Sequence, residues 1–517
     1  MVAPESAGWH VPSLQEFGAK DRARRVSSLS TSQAPQAPRP IEMRPTGLSG
    51  QLRPVMLVKA AQVASMVLFG IAAPRLLGPT RFGELAVILS MASLWMTACT
   101  LGGRYVFGRF IPEYAARGET LRVRAVFMHV LETRAVAAAL AAPAVYVLLE
   151  RALPAASATA LLAAAGAFLA MTLASPMYNV FFGLNRLGTS MSRDAFGQFL
   201  LLGLLVATGA AASLERAAIA VLATQLLILA IGVALCRKLF TLDHSAFDLP
   251  EVLAHLRFGL TIFGANLLLR LPWRLGETAL ALGGVEPAQI AFFNLAVSAT
   301  AAFTRILGGA TTLQIPTLSL REAAGDAAGR DRGLGVALRY LTVAACLFVL
   351  LVFTAAPAAV RILLGDAYLG VLPNLSIVAL AALGAPIVRT ALSLAVVRTH
   401  LARSAALGIV AVGAFAGAAA LLIPSHGAAG ASLAVVAGTF GATAVALLQI
   451  RGSGILGEAR MARQLAAAVA PAVILLAMGT GPAVAGAAAA LYVVLVFALR
   501  ILDRSDLRQL ARAALGS

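Results

Sequence analysis

The chain has 517 residues, 60% of them hydrophobic and only 12% charged, with a formal net charge of +18. Soluble domains carry about 25% charged residues, so an ordinary soluble globule is excluded and a bilayer is the expected environment. The basic excess does not call for nucleic acid, because most of the arginines sit in short links between apolar runs, where a charge bias toward the cytoplasmic side accounts for them.

Residues 1–50 lack the apolar h-region of a signal peptide and carry the stretch SSLSTSQAPQAPRP. They are expected to be a disordered cytoplasmic tail. A spanning helix needs about 20 apolar residues, and about fourteen such stretches follow. The first six are 54–76, 84–103, 129–149, 157–182, 195–212 and 217–236. The next six are 258–282, 288–315, 335–356, 370–389, 402–423 and 427–450, and the last two are 464–480 and 482–501. The fold class is therefore all-α, a polytopic membrane protein with two six-helix bundles and two additional C-terminal helices.

With the N-terminus inside, the inner links hold Arg104, Arg109, Arg117, Arg122 and Arg124, and later Arg321, Arg330, Arg332 and Arg339. The outer links hold little beyond Arg75, Arg81, Arg151, Arg216 and Arg361. That alternation predicts both termini on the cytoplasmic side. The organisation expected is a tail at 1–50, an N-terminal helical lobe at 51–237, a cytoplasmic linker helix at 238–257, a C-terminal lobe at 258–450, two further spans within 451–503 and a tail at 504–517. A weak repeat supports two lobes. LLGPTRFGELAVILS followed by IPEYAARGE returns as LGGVEPAQIAFFNLA followed by IPTLSLREAAGD. The offset is about 205 residues, and an even number of helices per unit gives parallel repeats about an axis along the membrane normal.

Charges inside apolar spans are the features that point to function, since one near the bilayer centre costs roughly 3 kcal/mol. In the seventh span, FGLTIFGANLLLRLPWRLGETALALGG, Arg270, Arg274 and Glu277 fall on one helical face. Arg270 lies roughly 18 Å along the helix, close to the middle of a core about 30 Å thick. Arg270 and Arg274 are read as lining a cavity and gripping an anionic group, which a guanidinium fork fits in a bidentate way. An internal Arg274–Glu277 ion pair is the alternative, and Glu277 is either that partner or a coupling site. Pro272 removes a backbone hydrogen bond between the two arginines and is the expected hinge. Arg305, in the inner half of the eighth span, is a further candidate substrate contact, with snorkelling the equal alternative, and Asn266 and Asn294 add polarity to the same two helices. Arg104 and Arg109 are candidates for an inward-facing mouth. For Arg134, close to Glu132, and for Arg389, snorkelling or local pairing is preferred to substrate contact.

Cys99, Cys236 and Cys346 show no metal spacing and no disulfide framework, and the six histidines are scattered. No metal site, cofactor or catalytic constellation is expected. The outer links are too short to house a membrane glycan polymerase or ligase. A multidrug antiporter would call for acidic residues within the helices of the first lobe, and the predicted spans there contain none well placed.

Several segments together carry a family likeness. LGPTRFGELAVILSMASLW, then FIPEYAARGE, then LRFGLTIFGANLLL, RILLGDAYLGVLPNLSIVAL, IPSHGAAGASLAVV and DRSDLRQLARAA keep a recognisable order. Over about residues 54–510 the chain resembles the polysaccharide transporter family, the oligosaccharide flippases of the multidrug/oligosaccharidyl-lipid/polysaccharide exporter superfamily. Thr261 stands where that family usually has proline after FGL. The resemblance implies a fourteen-helix flippase of the bacterial inner membrane, serving exopolysaccharide or O-antigen synthesis. It implies a polyprenyl-diphosphate-linked oligosaccharide as cargo, membrane lipid as surroundings, and other polysaccharide assembly proteins as candidate partners. A lipid-linked peptidoglycan precursor is the alternative cargo. Cationic central cavities occur in related flippases, in line with the separate reading of Arg270, Arg274 and Arg305.

Overall fold

The computed structural model describes residues 48–241, 249–397, 401–464, 467 and 482–502. The predicted tails at 1–50 and 504–517 lie almost wholly outside the described residues, as does most of the predicted span 464–480 and the part of the linker at 242–248.

The described chain is helical throughout. In order it forms α1 (Leu48–Ala98), α2 (Gly103–Ala116), α3 (Thr120–Ala152), α4 (Ala158–Gly183), α5 (Leu187–Ala207) and α6 (Leu214–Cys236). The second half forms α7 (Leu249–Arg270), α8 (Pro272–Leu282), α9 (Pro287–Ala323), α10 (Ala327–Leu363), α11 (Val371–Ala379), α12 (Ala381–Val397) and α13 (Leu401–Ile450). The short α14 (Ile455–Glu458) and then α15 (Pro482–Ala498) follow. The predicted spans from 54 to 450 fall on these helices, and so does 482–501. Among the described residues seven helices are long and apolar enough to cross a membrane. Two of them run for 42 and 49 residues, which at 1.5 Å per residue is about twice the hydrocarbon thickness. Each holds two crossings, because the helical path breaks at Gly78 in α1 and at Gly427 in α13.

The breaks have local causes. Gly78 and Gly427 take positive φ, a conformation that costs little only without a Cβ. The two repeat copies keep the same turns: Gly78 and Gly284, and Gly118 and Gly325, are all left-handed. Ser157 and Ser213 cap α4 and α6 by accepting from the amides of Ala160 and Arg216, and Asp326 caps α10 through Gly329. The linker region is not a separate helix where it is described, because α7 runs unbroken from Leu249 into the seventh span. Pro272 then ends it: α7 stops at Arg270 and the proline opens α8 at its first position.

Within the first half α4 packs on α6 and α3, and α1 on α5; within the second half α13 packs on α12, α7 and α8, and α9 on α11. The halves meet where α1 contacts α8 and α9 and where α2 contacts α7. One apolar core runs across that seam, from Leu85, Ile88 and Met91 of α1 to Leu280, Ile290 and Phe293 of α8 and α9. α15 packs on α10, with Tyr492 and Val496 against Cys346 and Leu350. Leu140, Leu421 and Leu448 are more than two-thirds exposed. Such aliphatic surface suits hydrocarbon and would be costly in water.

Candidate functional site

Arg270 closes α7 and Arg274 lies in the first turn of α8, on either side of the Pro272 break. Both side chains are exposed, whereas Pro272, Gly276, Glu277 and Thr278 of α8 are buried. The proline therefore lets a short helix turn one face to packing while its arginine stays open. α13 backs the break closely, since a Cβ on Gly438 would lie 3.4 Å from Pro272 Cβ.

Arg305 of α9 is exposed and reaches the other half of the chain, with Nη1 3.2 Å from Met66 Sδ on α1. It lies in the electrostatic field of Arg274, Asp194 and Arg270. Arg104 of α2 is exposed as well, sits in the field of Arg270 and Asp194, and places its guanidinium 4.9 Å above the Phe182 ring. Half-buried Arg389 of α12 feels Arg270. Five arginines from α2, α7, α8, α9 and α12 thus converge where the halves of the chain meet. Arg109 does not join them; its guanidinium lies 4.0 Å from Glu113, one turn away.

Glu277 is 4% exposed. Its direct partner is Asn294, whose Nδ2 donates to Oε1 at 3.0 Å and ties α8 to α9, while the Arg274 charge acts on it without contact. The side chain of Asn266 lies outside the described side chains.

Two residues differ from the sequence reading. Asp194 falls just ahead of the predicted span 195–212, but α5 starts at Leu187, so Asp194 lies two turns inside a helix of the first half. Its exposed carboxylate accepts from Gln62 Nε2 at 3.0 Å and faces the arginines. The first half therefore does present an acid to this region; the polar run Thr-Ser-Met-Ser-Arg-Asp ahead of the apolar stretch was the signal. Arg134 neither snorkels nor pairs locally. It is 1% exposed, and none of its three guanidinium nitrogens has a hydrogen-bond partner.

The arginine region lies between two joints. At one, the Tyr368 hydroxyl donates to the Pro74 carbonyl, Arg75 donates to the Ile362 carbonyl, and Gly83 sits so close to the Pro287 carbonyl that no Cβ would fit. At the other, the Gly259 carbonyl occupies the place of a Cβ on Gly102, and Arg122 approaches Glu251 at 3.9 Å. There Phe110 packs against His255 and Phe258, and Tyr114 Oη lies 3.2 Å from His255 Nε2. Burial, reinforced by the nearby His129 and Arg122, pushes the His255 imidazole down to about 4. The three cysteines are buried thiols, and among the described residues no group of three or more His, Cys, Asp or Glu side chains could hold a metal ion.

No family model matches the sequence, and no curated protein matches it. Solved structures do. The chain is similar to the lipid II flippase MurJ in an inward closed conformation, with a TM-score of 0.60 at 12% identity over 86% of this chain and 97% of that one. It is similar to a multidrug resistance MATE family transporter of the MOP superfamily in its inward-facing conformation, with a TM-score of 0.52 at 15% identity over 79% of this chain and 95% of that one. A mutant of the Vibrio cholerae MATE transporter VcmN gives 0.52 at 15% identity, over 79% and 98%. The chain has the fold of these polytopic membrane proteins.

Proposed function

We propose that this protein is a lipid-linked oligosaccharide flippase of the bacterial inner membrane, with both termini cytoplasmic. It carries a polyprenyl-diphosphate-linked glycan from the inner to the outer leaflet by alternating access. The observation that carries the reading is the convergence of Arg104, Arg270, Arg274 and Arg305 from both halves of a membrane-transporter fold onto one region. Guanidinium groups gathered inside a membrane-spanning fold call for an anion, and a diphosphate offers acceptors for several of them. Similarity to a lipid II flippase supports a lipid-linked cargo. Such a peptidoglycan precursor is the second reading, because its charged group would meet the same arginines.

The two halves would rock about the arginine region, as repeat-built transporters do, with the joints at Tyr368–Pro74 and Gly102–Gly259 opening in turn. The lipid tail stays in the bilayer while the head group crosses. Asp194 keeps the region from being wholly cationic, so the cargo is held and then released. A multidrug antiporter is disfavoured because five arginines outweigh the one acid identified there. The test replaces Arg270, Arg274 and Arg305 singly with Ala and assays surface glycan at matched protein level. A charge-assisted contact contributes about 1.5–3 kcal/mol, so export should fall by about tenfold or more in each variant. Full export by all three would discard the reading.

A further inference from the structure

A second basic site lies apart from the arginine region, and nothing in the transport reading uses it. Thr100, Leu101, Gly103 and Val106 form one wall of a cavity of about 50 Å³; Val126, His129, Val130, Thr133 and Arg134 of α3 form another, and Val252, His255 and Leu256 of α7 the third. No carboxylate lines it. Arg134 is buried there with every guanidinium nitrogen unpartnered. Glu132, two residues earlier, is turned about 200° around the helix. Arg193 acts on Arg134, but as a like charge it cannot compensate it.

A buried cation without a counter-ion costs several kcal/mol. Water molecules could satisfy the N–H groups but not the charge. The two lining hydroxyls are already committed as donors, Thr100 to the Met96 carbonyl at 3.0 Å and Thr133 to the His129 carbonyl at 2.7 Å. The guanidinium therefore supplies the donors, and valine and leucine side chains supply most of the remaining wall. About 10–15 Å³ of such space holds one water molecule, so the cavity has room for a small ion and a few waters.

We propose that the cavity beside Arg134 binds a small monovalent inorganic anion of the size of chloride. The site joins three elements, because α3 supplies the charge, the α1–α2 link supplies the floor, and α7 of the second half supplies the lid. A Cβ on Gly103 would lie 2.5 Å from Val130 Cγ1 and 3.2 Å from Arg134 Nη2, so this glycine makes room for the guanidinium. The bound anion stabilises the joint at Gly102 and Gly259: Gly102 lies between the lining residues Leu101 and Gly103, and Gly259 one turn beyond Leu256.

The test uses the purified full-length protein. Crystals soaked in bromide should give an anomalous peak at the Arg134 guanidinium. Thermal unfolding should have a midpoint a few degrees higher in sodium chloride than in sodium gluconate at equal ionic strength, saturating with chloride. Arg134→Met should abolish that difference, whereas Arg270→Ala should retain it, which separates this site from the central arginines. A chloride response that survives Arg134→Met, or a site that shows ordered water and no bromide, overturns the proposal. If Arg134→Met does not fold, the bromide experiment on the unsubstituted protein decides alone.

Discussion

The hydroxyl of Tyr368 donates to the backbone carbonyl of Pro74 at 2.7 Å, linking residues 294 positions apart in the chain. Both are buried, so no solvent competes for the bond. It fastens the turn after α10 to the first crossing of α1, at one mouth of the arginine region. Tyr368→Phe keeps the ring, which packs edge-on against Phe292, and removes only the latch. A buried hydrogen bond of this kind contributes about 1 kcal/mol, so the open population at that end should rise about fivefold. Spin labels at Arg75→Cys and Ile362→Cys, two exposed positions facing each other there, would read the distance; the native thiols are buried and stay silent. An unchanged distance distribution would remove Tyr368 from the gate.

The opposite joint depends on the absence of a side chain. Gly102 has φ +77, and its missing Cβ would stand 2.0 Å from the Gly259 carbonyl oxygen. Gly118 has nearly the same φ, +72, with nothing within 4 Å. Gly118→Ala should therefore cost only the backbone strain, about 1–2 kcal/mol. Gly102→Ala adds a clash with a carbonyl held in α7, so it should hold that end apart and suppress export at normal protein level. Labels at Arg122 and Glu251 would show the separation in Gly102→Ala and not in Gly118→Ala.

The mouth residues separate as well. Arg104 faces Arg270 and stacks on Phe182, whereas Arg109 leans on Glu113. Arg104→Ala should lower export several-fold. Arg109→Ala gives up an exposed i,i+4 pair, which contributes about 0.3–0.5 kcal/mol, and should leave export within a factor of about two. Equal loss in both variants would mean that the mouth is broader than the geometry assigns.

These contrasts show what the chain discloses before folding. Crossings are legible because hydropathy over about 20 residues is a local property. The Pro272 break is legible because proline acts on its own helix. Arg270 and Arg274 stood out because a charge in an apolar run is visible one residue at a time. Their meeting with Arg104 and Arg305 depends on how distant helices pack, which spacing does not encode. Asp194 was missed because α5 begins eight residues before its apolar stretch, so this helical acid fell outside the predicted span. Arg134 was misread because Glu132 is near in sequence but far around the helix. Glu277 invited pairing with Arg274 at helical spacing, yet a neighbouring helix supplied Asn294 instead.

His255 makes the α2–α7 joint sensitive to acid. Its imidazole is held near pKa 4 in the fold, first by burial and then by His129 and Arg122, against about 6.5 in an unfolded chain. The sign follows from proton counting. Above pH 6.5 both states are neutral at this position and nothing is lost. As the pH falls from about 6.5 toward 4, the unfolded chain takes up a proton that the folded chain refuses, so stability declines with falling pH. With the ring buried, the loss over that window should be about 1–3 kcal/mol. Tyr114, His129, Arg122 and Arg134 surround the same joint, and of these only His129 ordinarily titrates in the window. His255→Gln keeps a polar partner for the Tyr114 hydroxyl without the basic nitrogen. Thermal midpoints of the two proteins between pH 7.5 and 4.5 should diverge, with the variant flatter. If His129→Gln flattens the curve and His255→Gln does not, the acid sensitivity belongs to α3 rather than to the joint.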